Sequence, residues 1–176
     1  MKKQLLITSI FLHAVFIIVI YVFQGVIFPL LRINGLVPLL LPIAVAGIAL
    51  YEGRYTGGIT GLFAGILCDV SFNQPAGVFT VLLTFVGLII GALADTVILR
   101  GFVTYYISCA AVLIVSGFVQ SFPLMIIPDN NIPLNALIST SAQQTAYSLI
   151  FALPIWFFVR ALGKRADKVS SSGHVY

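Results

Sequence analysis

Charge is what this sequence most lacks. Asp, Glu, Lys and Arg make up 8% of 176 residues, about a third of what the surface of a soluble domain of this size carries. With 60% hydrophobic residues and a mean hydropathy of +1.13, the shortage excludes an ordinary soluble domain. Cysteine is scarce as well. Cys68 and Cys109 both fall in apolar stretches, where a small apolar thiol is the expected role and a disulfide is not. A Cys/His metal site needs more of both residue types than this chain has. No second His accompanies His13 in an apolar run, no acidic pair shows close helical spacing, and no Ser is flanked as a nucleophile elbow. No catalytic set is therefore visible, and neither an enzyme nor a cofactor is expected. The Gly57-Gly58…Gly61 cluster has no preceding strand pattern and no Lys-Ser/Thr, so it is no nucleotide loop. The net charge of +4 is spread over loop ends and a tail rather than one patch, which does not suggest nucleic acid.

The few charges that exist are placed informatively. Apolar runs alternate with turn signals in a pattern that predicts an all-α, polytopic membrane protein with six transmembrane helices. The expected spans are Leu5–Phe23, Leu36–Tyr51, Thr56–Val70, Gly77–Ala94, Phe102–Ile127 and Leu134–Val159. Threaded this way, Lys2, Lys3, Arg54, Arg100, Arg160, Lys164, Arg165 and Lys168 all share one side, and Arg32 alone lies opposite. Short loops that keep Lys and Arg remain in the cytoplasm, so both termini are expected inside a cytoplasmic membrane. Residues 1–163 then form the membrane domain and 164–176 a cytoplasmic polar tail, whose cations suit anionic headgroups. The first apolar run is longer than a signal-peptide core and lacks a following Ala-x-Ala site, which predicts a retained helix. Outer connections are expected at Gln24 to Gly35, at Ser71 to Pro75 and at Pro128 to Pro133, with inner turns at Glu52-Gly53-Arg54 and Asp95 to Gly101. Pro123 is expected to kink or end the fifth span. The third span is the shortest at about 22 Å, below a bilayer core of ~30 Å.

Two patterns mark candidate sites. Gly57, Gly61, Gly65 and Asp69 step by four along the third span, and Gly87, Gly91 and Asp95 do so along the fourth. Glycine at that spacing bares one helix face for close backbone packing, so Gly57, Gly61, Gly65, Asp69, Gly87 and Gly91, together with Gly77 at the start of the fourth span, are read as helix-packing or partner-interface positions. Asp69 is open to two readings: a cap ending the third helix, or a packing or partner-binding carboxylate. In the sixth span Asn135, Ser139, Gln143 and Tyr147 form a polar stripe, with Thr140, Gln144 and Ser148 adjoining. Such a stripe is expected to avoid lipid and to serve interhelical hydrogen bonds or a polar pocket. His13 reads as a hydrogen-bonded bundle histidine rather than a proton carrier, and a proton-coupled carrier would want more ionisable residues at mid-span.

Glu52-Gly53-Arg54 leading into Gly57…Gly61-Leu62-Phe63-Ala64-Gly65-Ile66-Leu67-Cys68-Asp69, then Gln74-Pro75-Ala76-Gly77, and finally Leu153-Pro154-Ile155-Trp156-Phe157-Phe158-Val159-Arg160, resembles the signature of the rod shape-determining protein MreD family. Chain length, span number, Gln24 after the first helix and Pro38 entering the second are similar too. Where relatives often carry an acidic residue after Pro38, this chain has Leu39. The resemblance implies a fold similar to the substrate-binding subunits of energy-coupling-factor transporters. It also implies a membrane scaffold of the bacterial cell-elongation complex. The partners it implies are an MreC-like single-pass subunit, the actin-like MreB filament, and a peptidoglycan polymerase and transpeptidase. On this reading the glycine-faced third and fourth helices receive the partner's transmembrane helix. A substrate-binding subunit of a vitamin or small-molecule transporter is the alternative, disfavoured by a lone Ala14 where docking to an energising subunit would want Ala-x-x-x-Ala.

Overall fold

The computed structural model describes residues 2–27, 37–72, 77–96, 101–126 and 134–171. Among them are six α-helices and no strand: α1 (Lys2–Val22), α2 (Leu40–Glu52), α3 (Arg54–Phe72), α4 (Val78–Thr96), α5 (Phe102–Ile126) and α6 (Leu134–Ser171). A π-helical turn, Phe23–Ile27, extends α1. Three helices carry stretches long and apolar enough to cross a membrane: Val78–Asp95, Phe102–Gln120 and Ile138–Arg160. Of the connections expected at 24–35, 71–75, 95–101 and 128–133, residues 28–35, 73–75, 97–100 and 128–133 lie outside the described residues, while Gln24 to Ile27 and Ser71 to Phe72 are helical rather than loop.

Helix lengths depart from expectation in one instructive way. The short helix is α2, with 13 residues, about 20 Å. The third helix has 19 residues, about 28 Å, because it starts at Arg54 directly after Gly53 and runs on to Phe72. Gly53, at φ +86°, closes α2 and opens α3 within one residue, a backbone state that suits glycine. Residues 37–39 are not helical and Leu39 is extended, in keeping with Pro38, which disfavours the helical state in the residue before it. The last helix continues past the expected end of its span to Ser171, through Ala161, Leu162, Lys164, Arg165 and Ala166, all of high helix propensity apart from the interposed Gly163. Pro154 sits inside α6 without ending it.

The core is built around α2. Every residue from Leu40 to Leu50 is buried, as expected for a helix that is apolar on all sides. Its neighbours are α1, α3, α4, α5 and α6. Small residues on α2 let them come close: a methyl added to Gly47 would meet the Tyr105 ring at 3.0 Å and Val159 at 3.2 Å. The outer faces of the surrounding helices are as apolar as the interior. Phe11, Val70, Phe85, Ile107 and Phe157 are each at least 60% exposed, a surface suited to hydrocarbon rather than water.

Candidate functional site

Three helices in this bundle take from another helix the cap that the residue before them cannot supply. A helix start leaves backbone N–H groups without partners, ordinarily satisfied by a Ser, Thr, Asp or Asn at the N-cap. Here the starts of α2, α3 and α4 are preceded by Leu39, Gly53 and Gly77. In each case the missing acceptor comes from another helix.

The fullest example is Asp69. It stands in the last turn of α3, and its carboxylate accepts from the backbone N–H of Gly77 (3.0 Å), Phe79 (2.8 Å) and Thr80 (3.1 Å), and from the Thr80 hydroxyl (2.6 Å). It therefore does the work of an N-cap for α4, placing negative charge at the positive end of that helix. Of the two readings open for Asp69, a cap ending its own helix and a packing or partner-binding carboxylate, these bonds fit the packing one, since the carboxylate starts the next helix. Gly77, at φ +100°, has open space around its Cα, so its role is conformational. Asp95 mirrors this arrangement at the other end of the pair. Placed at the end of α4, it accepts from the Arg54 N–H at 3.3 Å, at the start of α3. A methyl on Gly53 would stand 2.8 Å from its Oδ1. Antiparallel packing makes the exchange reciprocal, as each helix's terminal aspartate serves the other's first turn.

Between these two caps the glycine rows meet each other. Methyl groups added to Gly57, Gly61 and Gly65 would reach the carbonyl oxygens of Gly87 (2.7 Å), Leu83 and Phe79 (2.7 Å) respectively. On the facing helix, Gly87 abuts the Gly57 carbonyl and Gly91 abuts the Arg54 Cα. Backbone therefore packs on backbone along the whole pair, the close approach that small residues permit in the absence of a hydrophobic drive. The bared faces are filled by one another, with Ala49 of α2 closing on Gly57 as well (Cβ–Cβ 2.6 Å for an added methyl). No room remains there for the helix of a partner, which the glycine spacing alone had suggested.

The start of α2 is served from two directions. Gln24, buried in the π-helical turn, accepts from the N–H groups of Leu40 (2.9 Å) and Leu41 (3.1 Å). From α6, the Ser148 hydroxyl accepts from the Leu39 N–H (3.0 Å), and the Gln144 amide donates to the Val37 carbonyl (3.0 Å). At its other end Glu52 lies 2.9 Å from Nε2 of His13, both side chains more than nine-tenths buried. The Trp156 indole donates to the Tyr51 hydroxyl at 2.9 Å.

Of the polar stripe expected on α6, Asn135, Ser139 and Gln143 lie on the exposed face, and Tyr147 is half-buried with its ring edge-on to Phe151 at 5.5 Å. The adjoining row carries two interhelical bonds, from Gln144 to Val37 and from Leu39 to Ser148, and both residues are buried together with Ser141 and Thr145. One residue along a helix is 100° of rotation, enough to separate Gln143 from Gln144 in this way. Cys68 and Cys109 are buried free thiols. No group of three or more His, Cys, Asp or Glu comes together as a metal site among the described residues. A groove of about 190 Å³ between α1 and α3 is lined by Ala14, Ile17, Ile18, Phe63, Ile66 and Leu67, with no polar contribution. These contacts fix the helices relative to each other.

Sequence reasoning missed the pairing of His13 with Glu52, which it left in a turn, and the capping by Gln24 and Ser148. Each joins residues far apart in the chain, and the one available signal was that Gln24, Gln144 and Glu52 are polar groups beside long apolar runs.

A family model described as rod shape-determining protein MreD matches residues 4–166. No curated protein and no solved structure matches the chain. The match covers nearly the whole chain, which belongs to that family. Membership and the three long apolar helices together make it a membrane protein.

Proposed function

We propose that this member of the MreD family is a multi-pass scaffold of the bacterial cytoplasmic membrane, with both termini cytoplasmic, acting in the complex that elongates the cell by lateral peptidoglycan synthesis. The observation that carries the reading is the family match over residues 4–166. The one-sided distribution of Lys and Arg supports the orientation. The cross-capped α3–α4 pair supports a scaffold: it supplies a rigid unit whose polar groups are satisfied internally, leaving apolar outer faces to meet other membrane helices. An MreC-like single-pass subunit, the MreB filament and the polymerase–transpeptidase pair are the partners this role calls for. Because the glycine faces are filled from within, a partner helix sits on an exposed face of the bundle.

Depletion in a rod-shaped host tests this. Rounded, widening cells with normal growth-factor requirements are the expected result. Unchanged rods that require an added vitamin would instead point to a transport subunit and overturn the reading.

A further inference from the structure

Arg160 is the first charge in α6 and closes its apolar stretch Ile138–Arg160. The residue is exposed, and its guanidinium lies over the Trp156 ring, 4.9 Å from the centroid. That ring is fixed in turn. Its indole donates to the Tyr51 hydroxyl at 2.9 Å, and Phe102 and Phe157 meet it edge-on at 5.2 Å and 5.0 Å. Tyr51 stands one residue before the end of α2 and Phe102 opens α5, so the guanidinium is level with the end of the bundle where the chain turns back. Stacking covers the flat face of a guanidinium and leaves its in-plane N–H donors available. No hydrogen bond or ion pair from the described residues engages those of Arg160. Arg54, at the same end, differs. Its guanidinium lies over Tyr55 but donates to the Tyr55 hydroxyl at 3.0 Å, and the exposed Asp95 carboxylate accepts from its backbone N–H. From Arg160 towards the middle of α6 run Phe157 (66% exposed), Leu153 (44%) and Ile150 (63%), within an arc of about 80°. Ile150 is ten residues away, about 15 Å, or half of a ~30 Å hydrocarbon core. In the other direction α6 continues to Ser171, and Lys164 and Lys168 follow Arg160 at four-residue steps, against one carboxylate, Asp167.

We propose that this end of α6 binds an anionic phospholipid of the cytoplasmic leaflet, with its phosphate on the Arg160 guanidinium and an acyl chain along Phe157, Leu153 and Ile150. The inference rests on the membrane-spanning reading above. The order of the chemistry argues for a lipid: a fixed cation at the boundary, an apolar strip one leaflet deep on one side of it, and more positive charge on the other. A phospholipid presents its anion and its chain in that order, whereas an acidic side chain from another protein would use the cation and leave the strip unmatched. The planar fork of an arginine suits two oxygens of one phosphate. Stacking on Trp156 holds that fork in place beforehand, so less side-chain freedom is lost on binding than for a free lysine. In a zwitterionic lipid the headgroup's own ammonium offsets the phosphate, which makes the site selective for a net negative headgroup. Lys164 and Lys168 add attraction that fades over a Debye length of about 8 Å. At Arg54 the neighbouring Asp95 carboxylate opposes the same use.

Trp156 is the one tryptophan of the chain, so its fluorescence reads this site alone. The full chain is reconstituted in vesicles of phosphatidylcholine and phosphatidylglycerol, with bromine on the acyl chains of one lipid or the other as quencher. Brominated phosphatidylglycerol is expected to quench well beyond its share of the bilayer, and this preference should fall as added salt shortens the Debye length. Arg160→Gln should lower the preference about fivefold, the effect of one cation near a charged surface. Arg160→Lys should keep part of it, and Arg54→Gln, on α3, should leave it unchanged. The unsubstituted chain tests the proposal without any variant. Equal quenching by the two brominated lipids would overturn it and leave the guanidinium to an acidic group of another protein. A preference that survives Arg160→Gln in full would overturn it as well. So would relief of quenching by inorganic phosphate beyond that caused by chloride at the same ionic strength, which would assign the site to a soluble anion. No quenching by either lipid would sink the membrane-spanning reading itself, which separates the failure of that reading from the failure of the lipid site.

Discussion

Asp69 is the residue on which the start of α4 depends, since four hydrogen bonds converge on its carboxylate. Replacing it with Ala should lower the stability of the purified chain in detergent by about 1–2 kcal/mol, the range for a lost cap. Asp69→Asn, which keeps an acceptor but not the charge, should cost less. Thermal unfolding followed by circular dichroism reads both, and an Asp69→Ala variant as stable as the parent would show the cap to be idle. The residue itself was visible in the sequence, as the polar end of a glycine row. Its partner was not, because helical spacing reports which residues share a face and says nothing about what the face meets. The same holds for Gly77: Gln-Pro-Ala-Gly signalled a helix start, but only the φ of +100° shows that this glycine is present for its backbone freedom. Gly77→Ala is therefore expected to cost about 1 kcal/mol from the left-handed conformation alone, with no steric clash to add to it.

At the scale of elements, α2 depends on side chains that belong to α1 and α6. Gln24→Leu removes the acceptor for two buried N–H groups, which should destabilise the bundle by about 2 kcal/mol or more. Ser148→Ala, which orphans the single N–H of Leu39, should cost about half as much. Measured together, the two substitutions should fall short of additivity or exceed it, as residues serving one helix start do; strict additivity would indicate that they act separately. The shortness of α2 was hidden in the sequence. Leu36 to Tyr51 is apolar throughout, and apolarity alone gives no phase from which to find where a fully buried helix begins. Conversely, α3 read as short because its polar beginning, Arg54 and Tyr55, looked like a loop. The helix continues through both because Gly53 and Asp95 together start it two residues earlier.

For the molecule as a whole, the number and order of helices were legible in the alternation of apolar runs with Gly, Pro and Asn clusters. The family was legible in the order of the Glu52-Gly53-Arg54, glycine-row and Leu153-Pro154 segments. What stayed hidden was the use of the glycine rows, since the same bared face serves a neighbour within the bundle or a helix from outside. The structure gives them to α3 and α4, and from this follows the central claim: the rows hold this chain together and need no partner to be occupied. The direct measurement is the stability of Gly61→Leu purified alone, beside Gly77→Ala as the control without a clash. A leucine side chain at Gly61 runs into the Leu83 carbonyl, so the account predicts a loss of about 3 kcal/mol or more, seen as collapse of the folded, monodisperse protein with no partner in the sample. A Gly61→Leu chain that is as stable as the parent by itself, yet no longer co-purifies with a single-pass partner, would contradict it.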